Sequence, residues 1–244
     1  MHASSSLRGA GRAALLGVGA GLALATSAGA QAPGLPVLQG AFLGPGLAAA
    51  INVGRASGRT GTLAAVGFGT RRGRAHLDLG AGIEGGSTPG YDGSALTYGA
   101  RIAVRALQLF DERVAVTPFL GFGSTRAKVS NVAAAGPPVT ARDTGRTLQT
   151  DQIPAGVAVG GRLAIGERAV ALSVAPFYTR YRQSGLTTEA TRGRVRIAGV
   201  FDAAVTERIG LTFGIEAGQT SGGGQPGPTG TQVGGGLSFA FGRR

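Results

Sequence analysis

Segments in which apolar residues alternate with glycine or polar residues recur from about residue 46 to residue 241. Successive side chains of a β-strand point to opposite faces, so a period of two predicts strands with two unlike faces. In one segment Leu211 and Phe213 share a face, whereas Thr212 and Glu216 share the other. The pattern predicts an all-β fold in which one face of each strand meets an apolar medium.

Ten strands are predicted from this alternation. Most have the roughly 9–11 residues that a tilted strand needs to cross a bilayer. Eight or twelve strands would also fit, because the alternation is weak in the first pair. The predicted strands lie near 46–55, 62–70, 75–84, 95–106, 113–126, 154–165, 169–182, 194–205, 209–218 and 232–241.

The connections between the predicted strands alternate in length. Short turns follow the second, fourth, sixth and eighth strands, whereas the other connections are mostly longer and rich in Gly, Pro, Ser and Thr; 56–61 is a short exception. Outer-membrane barrels have short periplasmic turns and longer external loops. Lipid cannot satisfy the backbone of an open sheet edge. We therefore predict a closed antiparallel up-and-down transmembrane β-barrel whose longest loop, 127–153, is the expected recognition surface.

The first thirty residues have the pattern of a cleaved signal peptide. Arg8 and Arg12 precede an apolar or glycine run from 13 to 25, which is too short to span a bilayer. Small residues then lead to a cleavage site after Ala30. We expect a signal peptide over 1–30, a lead-in over 31–45, a barrel over 46–241, and a location in the outer membrane of a Gram-negative cell envelope.

Composition limits the classes of function. The formal charge of +12 raises nucleic acid as a partner, but export and the scattered placement of the basic residues argue against it. Cysteine is absent, so neither disulfides nor thiolate metal sites are expected. The 46 glycines favour a small barrel, where they permit curvature and leave interior space for long polar side chains.

The segment that would close the barrel carries a family resemblance. Together with the signal peptide and the alternating strands, Leu237-Ser238-Phe239-Ala240-Phe241 resembles the small outer-membrane β-barrel proteins of the outer membrane protein A/X and opacity-protein type. The resemblance implies that Leu237, Phe239 and Phe241 form a signal for the barrel assembly machinery. The usual aromatic is terminal, whereas here Gly242-Arg243-Arg244 follows Phe241. The resemblance concerns architecture more than activity.

If the apolar faces meet lipid, the opposite faces line the lumen, where buried charges require partners. We predict a salt-bridge network of Asp78, Arg101, Arg105, Arg162, Arg196, Asp202 and Glu216. The functional alternative makes these residues a constriction for small anionic solutes. The predicted lumen lining also includes Asn52, His76, Glu84 and Arg194.

Enzymatic chemistry has little support in the sequence. His76 is the sole histidine after the predicted cleavage site, and it lies near the periplasmic start of its strand, away from any serine expected near the outer leaflet. Neither phosphate-binding motifs nor metal-ligand clusters are evident, so we expect no enzyme activity and no cofactor.

Basic residues gather at the predicted outer rim, where arginine could bind lipid phosphate. We predict lipid-phosphate contacts for Arg126, Lys128, Arg180, Arg182 and Arg192, with ordinary solvated loop charge as the alternative. Outer-membrane lipid and lipopolysaccharide are therefore expected partners. Tyr98, Tyr178 and Tyr181 are assigned to an interfacial aromatic girdle.

Three functions remain open from the sequence. The first is a structural or surface-interaction barrel whose lumen is mostly filled by the salt-bridge network and whose surface ligand is unknown. The second is a narrow porin-like channel for small solutes. The third is a soluble secreted lipocalin-like barrel, in which the apolar faces would point inward.

Overall fold

A computed structural model describes residues 46–56, 59–88, 91–92, 94–111, 113–128, 145–165, 168–185, 189–218 and 230–241. The predicted signal peptide and lead-in lie outside the described residues, as does 129–144 within the predicted 127–153 loop. Within the described part of the chain, no helix is long and apolar enough to cross a bilayer.

The described residues form ten long strands and two short ones. The short strands are β4 and β6, which lie beside the long-loop and short-turn ends of their neighbours. In chain order the strands are β1 (Gly46–Ala56), β2 (Arg59–Gly69), β3 (Ala75–Thr88), β4 (Tyr91–Asp92), β5 (Ala95–Val104), β6 (Leu107–Leu109), β7 (Val114–Lys128), β8 (Thr147–Ile165), β9 (Arg168–Ser184), β10 (Ala190–Ala204), β11 (Ile209–Gly218) and β12 (Gln232–Phe241).

The ten long strands close into a ring. Each long strand pairs antiparallel with the next long strand along the chain, and β1 pairs with β12 over ten residue pairs, for example Ala50 with Ser238. Closure leaves no free edge along the wall of the barrel. The predicted closed, ten-stranded, antiparallel up-and-down barrel is thereby confirmed.

Apolar side chains cover the outside of the barrel. Leu79, Leu172 and Phe213 are 52%, 55% and 50% exposed, whereas Arg194 and Arg196 in the lumen are each 1% exposed. Every long strand contributes at least one large exposed apolar residue to this outer apolar belt: Ile51, Val66, Leu79, Ile102, Leu120, Val157, Leu172, Ile197, Phe213 and Phe241. The orientation is the reverse of that in a water-soluble barrel, whose apolar side chains would fill the centre.

Some strand bounds differ from the prediction. β8 begins at Thr147 and not near 154, so 147–153 is strand and not loop, and β10 begins at Ala190 and not near 194. The extra residues pair with their neighbours through the backbone, for example Thr147 with Lys128. Backbone pairing does not require an apolar face, so the alternation of apolar residues could not reveal these polar extensions.

The end of the barrel with the short turns is fixed by local hydrogen bonds. In the β2–β3 turn, the Thr70 hydroxyl accepts hydrogen bonds from the N–H groups of Arg74 and Ala75, each at 3.1 Å. Gly73 there has a φ of 59°, which glycine adopts without a Cβ clash. This end and the opposite long-loop end define the two mouths of the lumen.

Candidate functional site

The lumen is layered, as the inward side chains of β10 show. From the short-turn end toward the long-loop end they are Asp202, Val200, Ala198, Arg196 and Arg194. Two polar regions are thus separated by apolar residues on this strand. Neighbouring strands extend each region across the barrel interior.

The polar region nearer the short turns, here called the lower network, contains His76, Asp78, Arg101, Arg162, Asp202 and Thr212. Arg101 binds Asp78 through two nitrogens, with Nη2–Oδ2 and Nε–Oδ2 distances of 2.6 and 2.8 Å. Nδ1 of His76 lies 3.0 Å from Oδ1 of Asp78. The Thr212 hydroxyl donates a 2.7 Å hydrogen bond to Asp202.

The remaining predicted charges of this region are arginines. Arg101 and Arg162 both lie close enough to Asp202 to act on its charge. Arg105 is partly buried, and its backbone N–H donates to the carbonyl of Arg74 at 2.7 Å, beside the short-turn mouth. The lower network therefore gathers Asp78, Arg101, Arg162 and Asp202 from the predicted set, and His76 joins them.

The apolar layer crosses the middle of the lumen. The rings of Phe119 and Phe177 have centroids 6.3 Å apart and are tilted by 54°. Phe177 packs directly against Gly156 on the adjacent strand, where a Cβ atom would overlap it. Five buried alanines complete the layer: Ala103, Ala115, Ala158, Ala175 and Ala198.

The polar region nearer the long loops, here called the upper network, is centred on Arg196 and Glu216. Nε of Arg196 donates to Oε1 of Glu216, and both side chains are 0% exposed. Nη2 of Arg196 also donates to the carbonyl of Gly230 at 3.0 Å. Gln232 donates to Glu216 at 3.4 Å, and the guanidinium of Arg194 lies 5.8 Å from the ring centre of Tyr181.

Of the seven residues predicted as one salt-bridge network, four thus lie in the lower network and two in the upper network, whereas Arg105 lies beside the short-turn mouth. The lumen lining predicted from the sequence did not include Arg59 or the buried Gln232. Arg59 lies 3.6 Å from Glu84 across β2 and β3. Arg59 and Gln232 both follow the inward alternation of their strands. That alternation was the signal that could have identified them.

No protein-family model matches the chain, and no match is found among curated proteins. The resemblance to small outer-membrane barrels therefore stays a prediction. Among the described residues, no group of three or more His, Cys, Asp or Glu side chains could hold a metal ion.

The residues predicted to form the assembly signal share the outer face of β12. Leu237, Phe239 and Phe241 are aligned with Ile51, Ala49 and Leu47 of β1 in the closing pair of strands. They therefore belong to the surface at which the barrel closes.

The predicted phosphate-binding residues lie on two different faces. Arg126, Lys128, Arg180 and Arg182 alternate with inward residues and face outward, near the long-loop ends of β7 and β9. Arg192 has the inward parity of Arg194 and is aligned with the buried Tyr181. We therefore group only the four outward residues as the outer basic patch.

Two of the three predicted girdle tyrosines face outward near the upper limit of the apolar belt. Tyr178 is half exposed, and Tyr98 lies beneath the guanidinium of Arg126, 5.6 Å from its ring centre. The assignment of Tyr181 to the girdle is wrong, because this residue is 1% exposed in the lumen. It lies at an odd position of β9, on the same face as Thr179 and Gln183.

Proposed function

We propose that this chain is an outer-membrane β-barrel protein with a structural or surface-interaction role and a closed lumen. The observation that supports this most directly is the continuous outer apolar belt, to which every long strand contributes. Exposing so much apolar surface to water would be unfavourable, at roughly 25 cal/mol per Å². Acyl chains are the medium that matches such a surface, and the reverse orientation would be expected of a soluble lipocalin-like barrel.

A structural role is favoured over a channel by the contents of the lumen. Phe119 and Phe177 lie between two charged regions, and the side chains of Arg196 and Glu216 are fully buried. In a small barrel, side chains of this size fill the interior. A filled interior leaves the surface and loops as the parts that interact with other molecules, and it gives no support to an enzyme.

The proposal also includes a route to the membrane. After export and cleavage following Ala30, the barrel assembly machinery would insert the chain by recognising Leu237, Phe239 and Phe241. The short turns would face the periplasm and the long loops the exterior, as in other barrels of this kind. Outer-membrane lipid and lipopolysaccharide would then surround the apolar belt.

Membrane fractionation tests the proposal. We expect the protein in the outer-membrane fraction, extracted only by detergent, with a folded form that migrates differently from the heat-denatured form on a gel. A variant lacking 1–30 should stay in the cytoplasm and serves as the control. Quantitative recovery in the soluble periplasmic fraction would eliminate the proposal.

Conductance across a planar bilayer separates the closed barrel from the narrow channel. We expect no stable current from the wild-type protein, because the apolar layer and both networks obstruct the lumen. A steady current that falls when Arg105 or Arg162 is replaced by tryptophan would instead establish a pore for small solutes.

A further inference from the structure

The outer surface of β7, β8 and β9 changes from apolar to polar toward the long-loop end. Leu120, Ala155 and Tyr178 are aligned across these strands and form an apolar row. Two residues further along β9, Arg180 is aligned with Ile153 of β8. On β9 the apolar belt therefore ends at Tyr178, and Arg180 is the first cation beyond it toward the long-loop end.

The next rows are polar. Ser124, Asp151 and Arg182 are aligned across the three strands, and Arg126 is aligned with Gln149 above them. Lipid headgroups would lie at this level if the apolar belt contacts acyl chains, because the polar rows directly follow the belt.

Two cations of the outer basic patch are engaged within the protein. Arg126 stacks over Tyr98 and donates a 3.1 Å hydrogen bond to Gln149. Arg182 forms an ion pair with Glu189 at 3.2 Å. These contacts orient the two guanidinium groups.

The other two cations, Arg180 and Lys128, have no ion-pair partner among the residues that the structure describes. Arg180 is flanked by Ile153 on β8 and Gly193 on β10, neither of which carries an acceptor side chain. Asp151 is occupied by Ser124 and Gln149, with hydrogen bonds of 2.7 and 2.9 Å to its Oδ1. The patch therefore has four cations against two carboxylates, Asp151 and Glu189, and keeps a net positive charge.

We propose that the outer basic patch binds the headgroup of a lipid that carries two phosphates, while its acyl chains lie against the apolar row below. The inference rests on the proposed membrane location and adds a specific partner to it. The cations stand on β7 and β9, two strands apart, and are also offset along the strands, because Lys128 is level with Thr147 of β8 and Arg180 with Ile153. At the backbone Arg126 and Arg182 are therefore roughly 12 Å apart, and Lys128 and Arg180 roughly 20 Å apart. Two phosphate groups match this spacing better than one, and the phosphorylated glycolipid lipid A of the outer leaflet has this chemistry.

Lipid binding to the detergent-folded, purified barrel tests the proposal. The probe is bisphosphorylated lipid A, and its binding is measured by native mass spectrometry. We expect the double variant Arg180→Gln/Lys128→Gln to bind it about tenfold more weakly, because two charge-assisted contacts are lost. The matched control, Arg71→Gln/Arg72→Gln, removes the same charge at the short-turn end and should bind as the wild type does.

Comparison ligands identify what is recognised. Dephosphorylated lipid A should bind weakly to the wild type, and its binding should not change in the double variant. Inorganic phosphate at the same concentration should not compete. Equal binding of bisphosphorylated lipid A to the wild type and the double variant, or effective competition by inorganic phosphate, would overturn the proposal while leaving the membrane location intact. A barrel that stays folded and soluble without detergent would overturn both.

Discussion

Replacing Glu216 with alanine is expected to be among the most destabilising single changes in the barrel wall. The substitution removes the carboxylate that pairs with Arg196 and leaves the guanidinium in a site where both side chains are fully buried. Removal of one partner of a buried ion pair costs about 3–5 kcal/mol, because the remaining charge has lost its compensation. The Gly230 carbonyl, 3.0 Å from Nη2, retains only part of that compensation.

The same reasoning predicts a rescue. In Arg196→Met/Glu216→Leu both charges are gone, so no uncompensated ion is left in the upper network. Replacement of a buried pair by apolar residues of similar volume is often neutral or stabilising. We expect the double variant to recover most of the loss, with a coupling free energy of about 2–3 kcal/mol between the two positions.

Urea unfolding in lipid vesicles measures these free energies. The chain has no tryptophan, so far-ultraviolet circular dichroism and the heat-modifiable gel shift are suitable probes. Asp78→Ala is a matched comparison, because the Asp78 side chain is 21% exposed. Water can therefore solvate part of the Arg101 guanidinium that remains. It should cost less than Glu216→Ala. A Glu216→Ala loss below about 1 kcal/mol, or losses of Arg196→Met and Glu216→Leu that simply add in the double variant, would refute the buried-pair argument.

Three further predictions concern the barrel wall and the predicted signal peptide. Gly156→Ala should lower the free energy of unfolding by about 1–3 kcal/mol, since the added Cβ would overlap the neighbouring strand. Gly161→Ala should change it by less than about 0.5 kcal/mol, because no atom lies within 4 Å of the added Cβ. Urea midpoints would distinguish the two variants, and equal losses would contradict the packing. Leu79→Arg should cost about 2–4 kcal/mol in vesicles if this position faces the bilayer interior, and Leu79→Gln less; no loss would argue against burial in lipid. Intact mass of the exported protein should correspond to cleavage after Ala30, and an uncleaved mass would exclude the signal peptide.

The alternation of side chains predicted ten strands, with eight or twelve left open, and it predicted the direction of their faces. The two faces of a strand meet different surroundings, and this imposes the alternation on each strand separately. Leu211 and Phe213 could therefore be assigned to the outside without knowledge of the neighbouring strands. The same logic failed for 147–153. There β8 continues as a polar extension whose backbone pairs with β7 and β9, and the local pattern carries no apolar contrast.

The partners of the lumen charges could not be predicted in the same way. Asp78 lies opposite Arg101 because β3 and β5 pair in one particular register, and a shift of a single residue would reverse both faces. Phe177 disturbed the alternation of its strand, and only the closed ring brings it to Phe119 to form an apolar layer. The partner of a lumen side chain depends on how several strands pair, whereas the face to which that side chain points depends on its own strand alone.

The glycines show why the register has to be specific. A Cβ on Gly67 would lie 2.7 Å from both Asp78 and His76, and one on Gly123 would lie 2.8 Å from Gln152. Each of these long inward side chains therefore lies across a glycine of the adjacent strand. A barrel of fixed circumference can hold large polar side chains only where the adjacent strand has a glycine beneath them. A slip in register would place these side chains against a Cβ atom and would also break the ion pairs. Glycine content predicts that such space exists, and strand pairing determines which side chain occupies it.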